Sequence, residues 1–258
     1  MAKLIAFSST YQNLCTEYYD LDKPSAPEDA LAYYLEHAKE AKGPILEPMC
    51  GTGSFLIPLS KKGFDITGFD NSRHMLDACR RKCQDNDPRS KLFEASFRSF
   101  APEGKYGLVF IPSSSFCLLT DSEEASYALS RVHEWLEDDG KFVFEIETRN
   151  AARTSQNIWK ANWVRKQDGS LIVLNHVGQF DPGTSIETVL CRYEHWKNNT
   201  IALTEVEEFC LKLYTPSAIE RLLSQCGFHV QRRIQPYVDT SPDEKAEIIV
   251  YECIKSNR

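Results

Sequence analysis

The residues with the clearest chemical potential form one run, Glu47-Pro48-Met49-Cys50-Gly51-Thr52-Gly53. The run follows an apolar segment that is typical of a buried strand, and a helical pattern comes after it. Glycines at such a turn let the backbone approach a ligand closely, and the N–H groups of a helix N-terminus attract a negative group. Asp70 ends the next predicted strand, about 20 residues after Gly51, where an acidic side chain is placed to accept hydrogen bonds from ribose hydroxyls. We therefore expect a ligand that contains a ribose.

The sequence lacks residues that two common nucleotide-binding motifs require, which narrows the choice of ligand. A dinucleotide fingerprint would have a third glycine three residues after Gly53, where this chain has Leu56. A phosphate-binding loop would continue with Gly-Lys-Ser or Gly-Lys-Thr, whereas Ser54 and Phe55 follow here. Neither a pyrophosphate nor a triphosphate ligand is favoured.

Strand and helix patterns alternate around this run, which predicts a parallel sheet with helices on both faces. The predicted helices are 27–42, 54–62, 72–82 and 122–137, and the predicted strands are 45–49, 65–70, 91–95, 107–111 and 141–147. After Arg149 the helical period disappears, and turn residues such as Asp168-Gly169 separate strand patterns. These patterns, at 163–165, 171–179, 186–196 and 201–213, predict an inserted antiparallel sheet. A helix at 215–225 and strands at 229–235 and 247–253 follow it.

The chain resembles the class I S-adenosylmethionine-dependent methyltransferases. Residues 47–53 are similar to the acidic-x-x-Cys-Gly-Thr-Gly motif of that family, and residues 68–76 to its Asp-x-Ser-x-x-Met-Leu segment. Residues 106–110 resemble its fourth strand, residues 135–142 the loop before its fifth, and residues 214–228 its late segment before strand six. The resemblance covers residues 30–150 and 214–255.

The resemblance implies a doubly wound, Rossmann-like α/β fold whose sheet is mostly parallel with an antiparallel last strand, and the antiparallel β-sheet is an insertion into it. We expect residues 1–43 to form an N-terminal helical cap over the cofactor. The S-adenosylmethionine-binding domain would comprise residues 44–150 and 214–258. Residues 151–213 would be the insertion, which binds the acceptor or forms a dimer.

The resemblance also implies the cofactor-binding residues. Glu47 and the turn Cys50-Gly51 would lie against the methionine moiety, Asp70 would bind the ribose hydroxyls, and Asn71 or Met75 would flank the adenine. The complete set is Tyr19, Glu47, Met49, Cys50, Gly51, Gly53, Asp70, Asn71, Met75, Ser96, Phe97, Ile111 and Pro112. Two positions depart from the family. Ser96 stands where the family often has an acidic residue that contacts the adenine amine, and Met49 replaces a glycine that is common in the motif. A weaker or altered fit of the cofactor is therefore open.

Acceptor-binding residues are less constrained by the resemblance. In related enzymes an N-terminal tyrosine often folds over the cofactor, so Tyr19 is our candidate for a catalytic role and Tyr18 for contact with the acceptor. Ser115 follows the fourth strand on the expected acceptor side. In the inserted sheet we expect an acceptor pocket, a subunit contact or ordinary sheet packing from Trp163, Arg192 and Trp196. No general base is identified.

Composition limits the partners. The chain has 258 residues, with 30 Lys and Arg against 37 Asp and Glu, for a formal net charge of −7. This balance, and the sequence Ile111-Pro112-Ser113-Ser114-Ser115-Phe116 in place of an Asn/Asp-Pro-Pro-aromatic signature, argue against a nucleic acid acceptor. No apolar run is long enough for a membrane helix, and nine scattered cysteines suit free thiols in a reducing compartment. We expect a cytoplasmic protein without a metal, and the inserted sheet is a candidate for a homodimer contact.

These observations predict a transferase that moves a methyl group from S-adenosylmethionine to N or O of a small-molecule acceptor. A non-catalytic S-adenosylmethionine-binding module would fit the changes at Met49 and Ser96. A nicotinamide-dependent oxidoreductase would share the turn and Asp70, although Leu56 argues against it. A protein methyltransferase would show an open groove in place of a pocket.

Overall fold

Two β-sheets organise the protein in a computed structural model, which describes residues 10–83, 90–152 and 157–256. The strands are β1 Ile45–Pro48, β2 Ile66–Asp70, β3 Ser90–Glu94, β4 Tyr106–Ile111, β5 Leu136–Glu147, β6 Lys160–Arg165, β7 Leu171–Asp181, β8 Ile186–Lys197, β9 Thr200–Lys212, β10 Phe228–Ile234 and β11 Ile248–Lys255. The helices are α1 Asn13–Asp22, α2 Glu28–Glu40, α3 Leu56–Lys61, α4 Arg73–Lys82, α5 Ser122–Trp135 and α6 Pro216–Gln225. Short 3₁₀ turns cover Ser115–Leu118 and Arg149–Ala151.

The larger sheet has the strand order β10-β11-β5-β4-β1-β2-β3. Strands β1 to β5 pair in parallel, and β11 pairs antiparallel with β5. Every residue of β1, β2 and β4 is buried, which explains their apolar sequences, since helices cover both faces of such a sheet. The prediction of a mostly parallel sheet with an antiparallel last strand is confirmed.

The strand order reverses between β1 and β4, because the chain moves outward from β1 through β2 to β3 and then returns to β4 on the other side. Ligands of open α/β sheets bind in the crevice beyond the carboxyl ends of the strands at such a point. The run from Glu47 to Gly53 follows β1 directly and therefore lies at this crevice.

The second sheet is antiparallel, with the order β6-β7-β8-β9, as predicted for the insertion. One of its faces packs against α1 through an apolar cluster of buried side chains. The cluster contains Leu14, Cys15, Tyr18, Ile172, Val189, Cys191 and Tyr193. Helix α1 is thereby attached to the inserted sheet, although the two are far apart in sequence.

Two local predictions differ from the structure. Helix α5 ends at Trp135, and β5 begins at Leu136, where a loop to residue 140 was expected. Leu136 pairs with Tyr106 and Lys141 with Leu108, so the intervening residues form an irregularity in the pairing with β4. The 3₁₀ turn Ser115–Leu118 was not predicted either. The division of the chain into three parts stays a prediction, with boundaries at 1–43, 44–150 with 214–258, and 151–213. Some predicted positions lie outside the described residues, namely 1–9, 84–89, 153–156 and 257–258.

Gly53 provides a test of how the turn after β1 packs on α4. Its φ is +81°, and a Cβ atom built on it would lie 2.5 Å from Cys79 Sγ and 3.0 Å from two carbons of Ile57. Gly169 has a similar φ of +84° with open space around the equivalent position. Both Gly→Ala changes introduce left-handed strain of about 1–2 kcal/mol, and Gly53→Ala must also displace Cys79, which adds about 1–3 kcal/mol. Urea unfolding should therefore show a larger loss for Gly53→Ala, and equal losses would contradict this packing.

Candidate active site

A cavity of about 430 Å³ lies at the carboxyl ends of β1, β2 and β4. Its walls come from the turn after β1, the loops after β2, β3 and β4, the segment that begins α1, and strand β9. The lining residues are Thr10, Tyr11, Tyr19, Glu47, Met49, Cys50, Gly51, Ser54, Phe55, Phe69, Asp70, Asn71, Met75, Ala95, Ser96, Phe97, Arg98, Pro112, Ser113, Ser115, Leu118, Leu119, Glu124, Glu208 and Cys210. Both sheets therefore contribute to one cavity.

The turn after β1 combines unusual backbone angles with space for a ligand. Met49 and Gly51 have φ of +57° and +53°. A Cβ atom on Gly51 would meet nothing within 4 Å, so this glycine leaves room beside the backbone. Met49 adopts a left-handed conformation that costs a residue with a side chain about 1–2 kcal/mol and that glycine would adopt without this cost.

Asp70 connects the turn to the next helix. Its carboxylate accepts hydrogen bonds from the Gly51 N–H at 2.9 Å and the Ser72 N–H at 2.8 Å. Ser72 in turn caps α4, because its Oγ accepts the Met75 N–H at 3.2 Å. Burial raises the pKa of Asp70, and the N–H groups of Ser72 and Gly51 oppose that rise. The carboxylate is thus held in one orientation at the edge of the cavity.

Glu47 is a buried carboxylate with an unused oxygen. Its side chain is only 2% exposed, and Oε2 has no hydrogen-bond partner among the described residues. Burial raises the pKa of Glu47 well above its ordinary value, and the nearby charge of Asp70 raises it further. Buried polar atoms are nearly always satisfied, so this oxygen suits a ligand that brings a hydrogen-bond donor.

Helix α1 is held over the cavity by carboxylates of β9. The Tyr11 and Gln12 N–H groups donate to Glu207 at 2.8 and 2.7 Å, and the Leu14 N–H donates to Glu205 at 2.6 Å. Negative groups at a helix N-terminus satisfy free N–H groups and oppose the helix dipole. This arrangement positions Tyr11 and Tyr19, which both line the cavity.

The loop after β4 depends on a buried carboxylate as well. Ser113 and Ser114 have φ of +56° and +54°, and their N–H groups donate to Glu145. Glu145 also accepts the hydroxyl groups of Tyr34 at 2.6 Å and Tyr237 at 2.9 Å. These bonds hold the strained loop against the cavity, where Ser113 is a wall residue.

Eleven of the predicted cofactor residues line this one cavity. They are Tyr19, Glu47, Met49, Cys50, Gly51, Asp70, Asn71, Met75, Ser96, Phe97 and Pro112. Ser96 caps its own turn, since its Oγ accepts the Arg98 N–H at 3.2 Å, and Phe97 stacks on Trp135 with 6.1 Å between ring centroids. Gly53 and Ile111 do not line the cavity, because Gly53 packs on Cys79 and Ile111 lies buried in the core of the sheet.

Among the predicted acceptor residues, only Ser115 lines the cavity. Tyr18 belongs to the cluster between α1 and the inserted sheet, where its ring lies 5.8 Å from that of Tyr193. Trp163 is 62% exposed on edge strand β6, the surface available to the predicted homodimer contact. Arg192 pairs with Glu194 at 3.0 Å, and the Trp196 Nε1–H donates to the same Glu194 at 3.1 Å. Their side chains are therefore engaged on the inserted sheet, away from the cavity lining.

Sequence reasoning missed the contribution of β9. Glu208 and Cys210 line the cavity from this strand, and Leu118 and Leu119 line it at the end of the 3₁₀ turn. A strand that reads Glu205-Val206-Glu207-Glu208 has the pattern of a solvated sheet face, so nothing local marks Glu208 as a cavity residue.

Comparisons with known proteins agree with this geometry. Residues 45–140 match the family model described as a methyltransferase domain. YqeM of Bacillus subtilis (strain 168) is 24% identical over 95% of this chain and 97% of its own. The CcbJ methyltransferase of Streptomyces caelestis has a TM-score of 0.79 at 20% identity, covering 96% of this chain and 99% of that one. S-adenosylmethionine-bound CalS10, an amino pentose methyltransferase of Micromonospora echinaspora, has a TM-score of 0.69 at 15% identity, covering 95% and 98%.

Residues 45–140 therefore match a methyltransferase domain, and the fold resembles that of solved methyltransferases, one of which binds S-adenosylmethionine. The cavity fits that cofactor on two independent observations. The partnerless oxygen of Glu47 suits the cofactor's ammonium group, and the open space at Gly51 lies beside the fixed carboxylate of Asp70, which suits a ribose.

Within residues 10–83, 90–152 and 157–256, no helix is long and apolar enough to cross a membrane. No group of three or more His, Cys, Asp or Glu side chains in the same ranges is arranged to hold a metal ion.

The raised pKa of Glu47 predicts that cofactor binding releases protons. A bound ammonium group favours the ionised carboxylate and lowers the raised pKa, so a proton leaves as the ligand binds. Affinity should then increase with pH between the ordinary and the raised pKa. Calorimetric titration of S-adenosylhomocysteine at several pH values above the ordinary carboxyl pKa, in buffers of different ionisation heats, should detect this release. Glu47→Gln should bind more weakly without the buffer dependence, and an unchanged proton release in that variant would contradict the assignment.

The contacts of Glu207 predict a specific loss when its charge is removed. Glu207→Gln weakens two N–H bonds at the start of α1, whereas Glu205→Gln weakens one. Since a hydrogen bond to a charged group contributes about 1.5–3 kcal/mol, Glu207→Gln should cost clearly more stability in urea. Hydrogen exchange of α1 should increase in parallel with weaker S-adenosylhomocysteine binding. Similar behaviour of the two variants would show that Glu207 has no special role.

Proposed function

We propose that the protein transfers a methyl group from S-adenosylmethionine to N or O of a small-molecule acceptor that binds beneath the inserted sheet. One observation carries this proposal. The cavity that contains Asp70 and Glu47 continues to Glu208 and Cys210 of β9, so cofactor and acceptor would share one compartment. The likeness to the amino pentose methyltransferase CalS10 supports an acceptor of small size.

The bound cofactor supplies an electrophilic methyl group on a sulfonium. The chain supplies the orientation, because in-line transfer depends first on the positions of the reacting atoms. Asp70 would hold the ribose, Glu47 the methionine end, and Phe97 with Met75 the adenine. These contacts fix the direction in which the methyl group faces the rest of the cavity.

Tyr19 would position the reacting groups. It lines the cavity, hydrogen-bonds to Ser54, and lies close to the charges of Glu47 and Asp70. Burial raises the pKa of Tyr19, so its hydroxyl stays neutral and can donate or accept a hydrogen bond. We propose a positioning role for Tyr19 in this compartment.

We also propose that the protein acts in the cytoplasm, with the homodimer contact at the inserted sheet. None of the nine cysteines, all of which lie in the described ranges, forms a disulfide, which suits a reducing compartment. Exposed side chains on and beside edge strand β6, among them Trp159 and Trp163, support the dimer contact.

Asp70→Asn tests the cofactor site. The substitution keeps the shape of the side chain but removes the charge that would face the ribose hydroxyls, so S-adenosylhomocysteine should bind about 10- to 100-fold more weakly. Asp65→Asn is the matched control. Asp65 is exposed just before β2, at the opposite end of that strand from Asp70, and this variant should bind S-adenosylhomocysteine normally. Calorimetry measures both affinities. Equal binding by wild type and Asp70→Asn would contradict the assigned role.

Turnover tests the reaction itself. Wild type supplied with S-adenosylmethionine and a panel of small amines and alcohols should release S-adenosylhomocysteine with at least one acceptor, and Asp70→Asn should reduce that rate in proportion to its weaker cofactor binding. Normal cofactor binding with no methylated product from any acceptor would favour a non-catalytic module.

A further inference from the structure

We infer that Glu208 is the acceptor-binding residue that selects an amine over a hydroxyl group. The inference rests on the proposed function, and it goes further by naming the class of acceptor and the side chain that recognises it. It depends on the position of Glu208 in β9, on the absence of a described residue that pairs with its charge, and on the direction in which charge moves during methyl transfer.

The alternation of β9 separates two roles. Side chains of neighbouring residues in a strand point to opposite faces. Glu205 and Glu207 hold the start of α1, and Phe209 packs on Tyr11 with 5.1 Å between ring centroids. Glu208 and Cys210 alternate with these residues, so their side chains point to the opposite face of the sheet, and both line the cavity. Glu208 is therefore presented to the ligand compartment by a strand whose register α1 helps to fix.

The charge of Glu208 has no partner within the described part of the chain. The cavity also contains Arg98, but its guanidinium is paired with Glu124, at 2.9 Å from Nε to Oε1. Glu47 and Asp70 face the cofactor positions. Glu208 is half-buried, and its side chain forms no hydrogen bond or ion pair with any described residue. This leaves one uncompensated carboxylate on the acceptor wall, which disfavours an anionic group and favours a donor or a cation there.

Methyl transfer to an amine moves positive charge toward such a residue. The N–C bond forms as the C–S bond breaks, and the electron pair of the broken bond stays on sulfur to give S-adenosylhomocysteine. The nitrogen carries the positive charge until one of its protons leaves to water. A carboxylate on the acceptor side stabilises the charge where it develops, whereas one beside the sulfonium would favour the ground state.

Glu208 would assist methyl transfer to a hydroxyl group only weakly. An alcohol must lose its proton as the C–O bond forms, and carboxylates are far weaker bases than alkoxides. An amine N–H instead donates to the carboxylate while its lone pair remains free for the methyl group. The arrangement therefore favours nitrogen over oxygen.

Binding of matched small probes tests the inference without knowledge of the natural acceptor. Cyclohexylamine and cyclohexanol have the same ring and differ in the group that would face Glu208. Wild type saturated with S-adenosylhomocysteine should bind the amine on the order of tenfold more tightly than the alcohol, and Glu208→Gln should lose about tenfold in amine affinity. Alcohol affinity should stay within about threefold in the variant.

Glu244→Gln is the charge-matched control, because Glu244 is exposed and lies outside the cavity. It should bind both probes as wild type does. Glu208→Asp should recover part of the amine preference, which a purely structural role would not predict. Calorimetry at constant ionic strength measures all four proteins, with S-adenosylhomocysteine affinity determined first for each.

Each outcome separates the two proposals. Normal S-adenosylhomocysteine binding without an amine preference, or with equal amine binding by Glu208→Gln, would overturn the role of Glu208 and leave the proposed function intact. Loss of S-adenosylhomocysteine binding in Glu208→Gln would assign the residue to the cofactor and overturn the inference. Failure of wild type to bind S-adenosylhomocysteine would overturn both.

Discussion

The carboxylate of Asp70 fixes two backbone segments at once, and the cofactor side of the cavity depends on it. Its bonds to the N–H groups of Gly51 and Ser72 join the turn after β1 to the start of α4. Ser72 then donates its hydroxyl to the Tyr11 carbonyl at 2.9 Å, and the Tyr11 N–H donates to Glu207 of β9. A continuous chain of hydrogen bonds therefore runs from the cofactor turn to the inserted sheet. Since each link uses a backbone group that would otherwise be unsatisfied, the two sheets meet in one defined arrangement.

Four buried carboxylates lie in or beside the cavity, and their presence needs explanation because burial disfavours a charge. Burial raises the pKa of Glu47, Asp70, Glu145 and Glu207 alike. All four accept backbone N–H groups, but Glu47 also keeps one oxygen, Oε2, without a hydrogen-bond partner among the described residues. Asp70, Glu145 and Glu207 hold loops and helix ends in place, including the left-handed Ser113 and Ser114. The open oxygen of Glu47 suits a ligand, so the same residue type serves structure and binding according to its partners.

The cofactor half of this site could be predicted from sequence because its signals are local. The glycine turn, Asp70 and the cap of α4 by Ser72 all lie within a short stretch, and their spacing reflects the geometry of one strand-turn-helix unit. The acceptor half could not be predicted in the same way. Glu207 and Glu208 are adjacent in sequence, yet one is fully buried beneath α1 and the other faces the cavity. The difference arises from the hydrogen bonds between the start of α1 and β9, which local sequence does not reveal. The sequence instead suggested Trp163 because it is aromatic, but this residue is exposed at a sheet edge.

The separation of the walls has a functional consequence. Residues that would bind the cofactor lie on the larger sheet and its loops, while Glu208 and Cys210 belong to a sheet inserted after β5. A substitution at Glu208 or Cys210 changes the wall that β9 contributes, on a different sheet from the turn after β1. A substitution at Glu205 or Glu207 acts on α1 and, through Tyr11 and Ser72, on the cofactor side. Alternation along a single strand thus places Glu205 and Glu207 against α1 and Glu208 in the cavity, because neighbouring side chains point to opposite faces of the sheet.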